Sequence, residues 1–283
     1  MPSGWPTTKV WAGLKILLTN DDGIDAPGLW AAARALRRVG DVFVAAPDRQ
    51  QSGVGASLTL HAPLRVREVA PQKNLAGDAD SPNSVTAYAV EGTPGDSCIL
   101  ALESLVGSVD LVVSGINPGS NLGWDVMVSG TVGAAVQGYV RGFPTVAISV
   151  GAVQNPNLEV AAQFLQHLGQ RLRDNPPAAG CFLNINVPNL AVDQISGVQV
   201  TRLGGRSYGE SVRQESVGPE KRYWIARNRP ISGNPAQDTD IWALKNNRIS
   251  VTPLRPGMGS TEDLGEIELL LGDVPARLLG RRD

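Results

Sequence analysis

Residues 14–28, LKILLTNDDGIDAPG, decide the fold. Leu14 to Leu18 read as a short buried strand. Asn20, Asp21, Asp22 and Gly23 break it, and Pro27 opens a helical run, LWAAARALRRV. Strand, tight turn and helix form the opening unit of an α/β sheet, in which ligands bind beyond the carboxyl ends of the strands. Two neighbouring carboxylates at such a place repel each other unless something cationic neutralises them. A hard divalent cation does this well, because it prefers oxygen ligands. The plain alternative is turn chemistry: Asn, Asp and Gly tolerate tight turns, and Asp22 or Asp25 could cap the helix that follows. These residues alone leave both readings open.

The same alternation continues along the first two-thirds of the chain. Strands are expected at Leu14–Leu18, Val42–Ala45, Leu111–Val113, Thr145–Val150 and Phe182–Val187. Helices are expected at Pro27–Val39, Pro94–Val106, Gly130–Arg141 and Leu158–Leu172, each with apolar residues at three- and four-residue spacing. Strands that are apolar throughout are buried on both faces, as in a parallel sheet covered by helices. Short right-handed connections then give a three-layer α/β/α sandwich of Rossmann-like type. Leu58–Val69 alternates apolar and polar around Pro63 and is expected to be extended, pairing antiparallel with Ala87–Val90. After Pro188 the pattern changes. Val198–Leu203, Tyr208–Gln214 and Tyr223–Arg227 look like antiparallel strands, followed by a short helix IWALKNN, a strand ISVTPL and a last amphipathic helix, TEDLGEIELLLG. The expected organisation is a flexible extension over residues 1–13, a catalytic core over 14–190 and a smaller β-rich lobe over 191–283. Such a lobe suits pairing with a second copy of the chain.

Composition narrows the functional classes. The 283 residues are 42% hydrophobic, enough for a sizeable core. A formal net charge of -2 implies no broad electropositive surface, which disfavours nucleic acid as a partner. No apolar run approaches the roughly 18 residues needed to span a bilayer, so no membrane association is expected. The N-terminus lacks the roughly 7–15-residue apolar stretch of a secretory signal. The two cysteines, Cys98 and Cys181, are not at metal-ligand spacing and read as small buried apolar residues. That usage fits a reducing, cytoplasmic setting. His61 and His167 cannot build a multi-histidine metal site.

Three further segments should reach the same rim as the aspartates. APDRQQSGVGAS follows the strand VFVAA, and Ser52 within it offers a neutral oxygen. VVSGINPGSNLGWDVMVSGTVGAA is rich in glycine, and Asn117 offers an amide oxygen, which suits Mg²⁺, Mn²⁺ or Ca²⁺. Ser129-Gly130-Thr131 opens a helix whose free N–H groups and dipole favour an anion, although Ser129 or Thr131 is equally a good N-cap. Together these parts suit metal-assisted hydrolysis of a phosphate ester. There is no Walker A pattern, and no Gly-x-Gly-x-x-Gly follows the first strand.

The segments ILLTNDDGIDAPG, VAAPDRQQSG, VEGTPGDS, VVSGINPGSNLGWDV, SGTVGAA and DTDIWALKNNRISVTPL resemble the SurE survival-protein family of 5'-nucleotidases. The resemblance spans roughly residues 14–254. It implies a phosphatase of nucleoside 5'-monophosphates on a Rossmann-like core, dependent on one divalent cation, Mg²⁺ or Mn²⁺. It implies that Asp21, Asp22, Ser52 and Asn117 hold the cation and that Asn20, Asn121, Ser129, Gly130 and Thr131 form the phosphate pocket. Asp21 and Asp22 are then the catalytic carboxylates, as ligands or alternatively as base or nucleophile. A homodimer or homotetramer is also implied. Broader action on 3'-monophosphates or short polyphosphate, or nucleotide binding without catalysis, are the alternatives. The chain departs from the family pattern at Val128, where Tyr is usual, at Gln137, where Glu is usual, and at Gly95 and Ser97. Val128 and Gln137 are expected to flank the pocket and to bear on substrate preference.

Overall fold

A computed structural model describes residues 13–71, 83–177, 180–205, 208–217, 220–230, 234–257 and 264–272, with 274 and 278. The extension expected over residues 1–13 lies almost entirely outside them, as does most of the loop after Ala70.

The strands are β1 (Leu14–Thr19), β2 (Gly40–Pro47), β3 (Val66–Val69), β4 (Val85–Val90), β5 (Leu111–Pro118), β6 (Thr145–Val150), β7 (Phe182–Val187), β8 (Gly197–Val200), β9 (Tyr208–Val217), β10 (Glu220–Pro230) and β11 (Arg248–Pro253). The helices are α1 (Pro27–Leu36), α2 (Pro94–Leu100), α3 (Gly130–Val140), α4 (Leu158–Asp174), α5 (Asp240–Lys245) and α6 (Leu264–Leu271). Nine strands form one sheet in the order β3-β4-β2-β1-β5-β6-β7-β11-β8. From β4 to β7 all neighbours are parallel. The chain moves outward from β1 to β2 on one side and later resumes at β5 on the other. The switch point of this Rossmann-like sheet therefore lies between β1 and β5, where ligands are expected.

Side-chain alternation explains the layers. Ile16 and Leu18 of β1 point into a cluster with Leu29, Leu36 and Leu165 of α1 and α4, while Leu17 points into a second cluster with Cys98 and Leu102. All are buried. The third cluster packs Val132 and Ala135 of α3 on Phe182 and Leu254. Helices thus cover both faces, as continuous apolar strands require.

Several local expectations need correction. Extended structure in Leu58–Val69 narrows to β3, which does pair antiparallel with β4. Pro63 lacks the N–H a ladder needs, and no strand forms from Leu58 to Arg65. The strand expected as antiparallel at Val198–Leu203 is β8, and it runs parallel to β11. β11 in turn runs antiparallel to β7. So β8 and β11, from the stretch after residue 190, continue the main sheet, and β9 and β10 form a separate antiparallel pair. The helix expected through Val106 keeps its α form only to Leu100. Its last turn widens, with the Val106 N–H donating to the Ala101 carbonyl at 2.8 Å. Cys98 is buried, but Cys181 is only half-buried.

Candidate active site

The loop after β1 is fixed from several sides. The Asn20 amide donates to the Gly23 carbonyl at 3.0 Å, and its oxygen accepts the Gly23 N–H at 3.2 Å. The side chain of Asn20 is fully buried and closes the turn. The Trp30 indole N–H donates to the Ile24 carbonyl at 2.6 Å. The Gln51 N–H donates to the Asp21 carbonyl at 2.6 Å, which ties the loop after β2 to the loop after β1. Capping of α1 by an aspartate does not occur: its N-cap is Ala26, with no side-chain bond, and Pro27 stands in the first turn. Turn chemistry thus accounts for Asn20 but not for Asp21 and Asp22.

Asp21 is 4% exposed, and its Oδ1 accepts the Thr131 hydroxyl at 2.6 Å across 110 residues of sequence. Burial raises its pKa, and the Thr131 bond works against that rise. Asp22 has no such relief. Its Oδ2 is buried without a hydrogen-bond partner. Burial first, and the charge of Asp21 second, push its carboxyl up to about 7. A buried, unpartnered carboxylate oxygen beside a second buried carboxylate is costly unless a cation joins them. Neither aspartate forms an ion pair among the described residues. No group of three or more His, Cys, Asp or Glu occurs among them either. Two carboxylates joined by neutral oxygens would suit a hard cation rather than zinc.

The neutral oxygens come from the neighbouring loops. Ser52 lies exposed in the loop after β2, its hydroxyl accepting from Gln50 Nε2 at 3.1 Å. Asn117 stands at the carboxyl end of β5. The register against β6 shifts between Ser114 and Asn117, the kind of irregularity that re-aims a side chain beside a site. Its amide nitrogen donates to the Gly119 carbonyl at 2.6 Å, so the amide oxygen is the end left to accept a cation. β2, β1 and β5 are adjacent, so their three loops lie side by side on one rim.

The candidate anion-binding end is the start of α3. Ser129 is its N-cap, with its hydroxyl accepting the Val132 N–H at 3.1 Å. The N–H groups of Gly130 and Thr131 have no carbonyl in a preceding turn to satisfy them. Gly130 is required here by contact: a Cβ would stand 2.7 Å from Asp21 Cβ and 2.9 Å from its Oδ2. Val128 is partly exposed beside this turn, and its carbonyl accepts the Gly55 N–H at 3.1 Å. Gln137 does not flank the pocket as expected. It lies seven residues into α3, about 10 Å along the axis, and its Oε1 accepts from Arg141 Nη1 at 3.1 Å.

Asn121 is held beneath the rim rather than at its surface. Its N–H donates to Asn186 Oδ1 and its side-chain amide to Ser149 Oγ, both at 2.8 Å. Its carbonyl accepts from Asn184 at 2.8 Å and from Asn186 at 3.0 Å. Asn184 and Asn186 escaped the sequence reading. Their signal was two alternating Asn residues in FLNINV, a strand otherwise read as buried. Asp240 escaped it too. This fully buried carboxylate accepts the N–H groups of Gly123, Gly204 and Ile241, each at 2.8 Å, and burial raises its pKa. Gly123 has φ +50°, and a Cβ there would strike the Gly205 carbonyl. Asp240 therefore pins the loop leading into α3. Asp240→Ala leaves three N–H groups, two of them buried, without their acceptor and is expected to cost on the order of 3 kcal/mol, measured by urea unfolding.

The family profile described as "Survival protein SurE" matches residues 16–210, more than half of the chain. The chain belongs to the SurE family. Among SurE relatives, a "5'-nucleotidase SurE" from Dehalococcoides mccartyi (strain CBDB1) is 44% identical over 244 residues, 85% of this chain and 88% of that protein. One of the same name from Legionella pneumophila is 40% identical over 263 residues, 92% and 98% of the two chains. The crystal structure of the SurE protein from Aquifex aeolicus superposes with a TM-score of 0.75 at 36% identity, over 90% of this chain and 99% of the other.

Proposed function

We propose that this protein is a metal-dependent 5'-nucleotidase that hydrolyses nucleoside 5'-monophosphates to nucleoside and phosphate. The relatives' names support the reaction. The observation that carries its chemistry is the buried, unpartnered Asp22 Oδ2 beside Asp21 at the rim of β1. One divalent cation, Mg²⁺ or Mn²⁺, would be held by Asp21, Asp22, Ser52 and Asn117. When bound, it supplies Lewis-acid polarisation of a phosphoryl oxygen and lowers the pKa of water. The N–H groups of Gly130 and Thr131 steady the phosphoryl oxygens as charge redistributes. Ser129 holds that helix start in shape, and Thr131 orients Asp21. Asn20 and Asn121 act by fixing the two loops between which the phosphate sits. Phosphate release from AMP, GMP, CMP, UMP, 3'-AMP and tripolyphosphate, with Mn²⁺ and with EDTA, tests the reading. Release from the 5'-monophosphates that EDTA abolishes is expected. Faster release from 3'-AMP or tripolyphosphate would replace the substrate assignment.

The raised carboxyl of Asp22 predicts a pH signature. Between about pH 4 and 7 the metal-free fold keeps a proton that the unfolded chain has lost. The metal-free protein thus loses stability as pH rises through that window. A cation must displace this proton below pH 7 and need not do so above it. The rise in melting temperature caused by Mn²⁺ over EDTA is therefore expected to be larger at pH 8 than at pH 6.

Assembly into a homodimer or homotetramer is the matching proposal for the C-terminal region. Val212, Tyr223 and Ile225 of the β9–β10 pair and Leu269 and Leu270 of α6 are exposed. These exposed apolar residues support contact with a second copy. No helix among the described residues is long and apolar enough to cross a membrane. Cys98 and Cys181 are both free thiols, and burial pushes Cys98 up to about 12. Free thiols suit the reducing cytoplasm.

A further inference from the structure

The cation ligands and the start of α3 serve one end of a nucleotide and leave its base unplaced. A groove of 400 Å³ opens at the carboxyl ends of neighbouring strands of the same sheet. Its walls come from the loop after β5 (Ser120, Leu122), from the segment after β7 (Pro188, Leu190) and from α5 (Leu244, Lys245). β6 and β7 run parallel to β1 and β5, so their carboxyl ends share the rim of Asp21, Asp22 and Asn117. Neighbouring strands lie about 4.8 Å apart. The ends of β6 and β7 are one and two strands from Asn117, which is the reach of a ribose.

The wall between the two places is rigid. Asn121 is bonded to Ser149 of β6 and to Asn184 and Asn186 of β7. Two residues later the Gly123 N–H is held by Asp240, the first residue of α5. The same network thus sets the phosphate end and the groove. The lining combines aliphatic side chains with the Ser120 hydroxyl, Asn189, Asn247 and the Lys245 ammonium, which fits a flat ring with apolar faces and a polar rim. Lys245 is exposed and makes no ion pair among the described residues. Two other grooves have different walls. One of 590 Å³ is lined by α1, Arg38 just beyond it, and α4. One of 340 Å³ runs along α3 from Ala56, Met127 and Val132 to Phe182 and Leu254, and no residue of the Asn121–Asp240 network lines it.

We infer that the groove between the loop after β5 and α5 receives the nucleobase, with Leu122, Leu190 and Leu244 against its faces and Lys245 at its polar edge. The inference rests on the 5'-nucleotidase reading and adds where substrate discrimination is made. Ribose 5-phosphate carries the sugar and the phosphate without a base, so the ratio of kcat/KM for AMP to that for ribose 5-phosphate reports on the groove alone. Wild type is expected to favour AMP by about 10-fold or more. Leu190→Trp, which fills the groove, is expected to bring the ratio close to one, chiefly through KM for AMP. Lys245→Ala, at an exposed position that folding does not depend on, is expected to change the ranking among AMP, GMP, CMP and UMP by about 3-fold or more. A folded Leu190→Trp protein with the wild-type ratio, or a Lys245→Ala protein with the wild-type ranking, overturns the groove assignment while the nucleotidase reading stands. Absence of phosphate release from every nucleotide in wild type, with Mg²⁺ and with Mn²⁺, overturns both.

Discussion

Asp22→Asn is expected to lower phosphate release from nucleoside 5'-monophosphates by at least about 10²-fold, the scale lost when one preorganised electrostatic group is removed. The melting temperature of the metal-free protein is expected to stay the same or rise. Both directions follow from one feature. Without a cation, the charge on Asp22 sits in a partly buried place next to Asp21, and one of its oxygens has no partner. Asparagine keeps the shape and removes the repulsion, so the fold loses nothing. The proposed cation would lose one of its two charged ligands, so the chemistry would suffer. Kinetics with saturating Mn²⁺ and melting curves in EDTA read the two effects separately. An active Asp22→Asn enzyme would remove this carboxylate from the mechanism. A strongly destabilised one would assign it to the fold instead.

Gly130→Ala is the second large effect. A methyl group at this position would lie 2.7 Å from Asp21 Cβ and 2.9 Å from Asp21 Oδ2, well inside the roughly 3.5–4.0 Å of comfortable carbon contacts. Asp21 cannot yield by rotation without breaking its 2.6 Å bond from the Thr131 hydroxyl. The strain falls on the carboxylate proposed to hold the cation and on the helix start proposed to hold the phosphate. A loss of about 10²-fold in kcat/KM is expected, with weaker Mn²⁺ binding and a stability cost of about 1–3 kcal/mol, the range for overpacking. Calorimetric titration with Mn²⁺ beside steady-state kinetics measures both. Wild-type values for this variant would show that α3 and Asp21 are not in register as described.

The central sheet could be read from the sequence because its signals are local. LKILLT, LVV, TVAISV and FLNINV are short apolar runs, and each became a parallel strand of the main sheet. The rim could be read for the same reason: NDDG follows the first run directly. What escaped depends on contacts distant in sequence. GVQV carries no mark of direction, and only the path of the chain around α5 sets β8 parallel to β11. The Thr131 bond to Asp21 joins residues 110 apart, so Thr131 reads locally as a helix-start residue only. Asp240 looks like a surface acid opening a short helix until Gly123 and Gly204 close over it. Asn20 and Asn121 were placed by resemblance in the phosphate pocket; the structure adds that the Asn20 side chain closes the turn at Gly23, the Asn121 side chain bonds Ser149 of β6 and the Asn121 main chain bonds Asn184 and Asn186 of β7. Gln137 was misplaced because the count along α3, not nearness in sequence, sets its distance from the rim.

The central claim is that one divalent ion joins Asp21 and Asp22 to Ser52 and Asn117. Anomalous diffraction from crystals grown with Mn²⁺ tests it most directly. The account predicts a single strong manganese peak within coordination distance of both carboxylates, of Ser52 Oγ and of Asn117 Oδ1. Well-ordered density with no peak there, and with the two carboxylates turned apart into solvent, would contradict it.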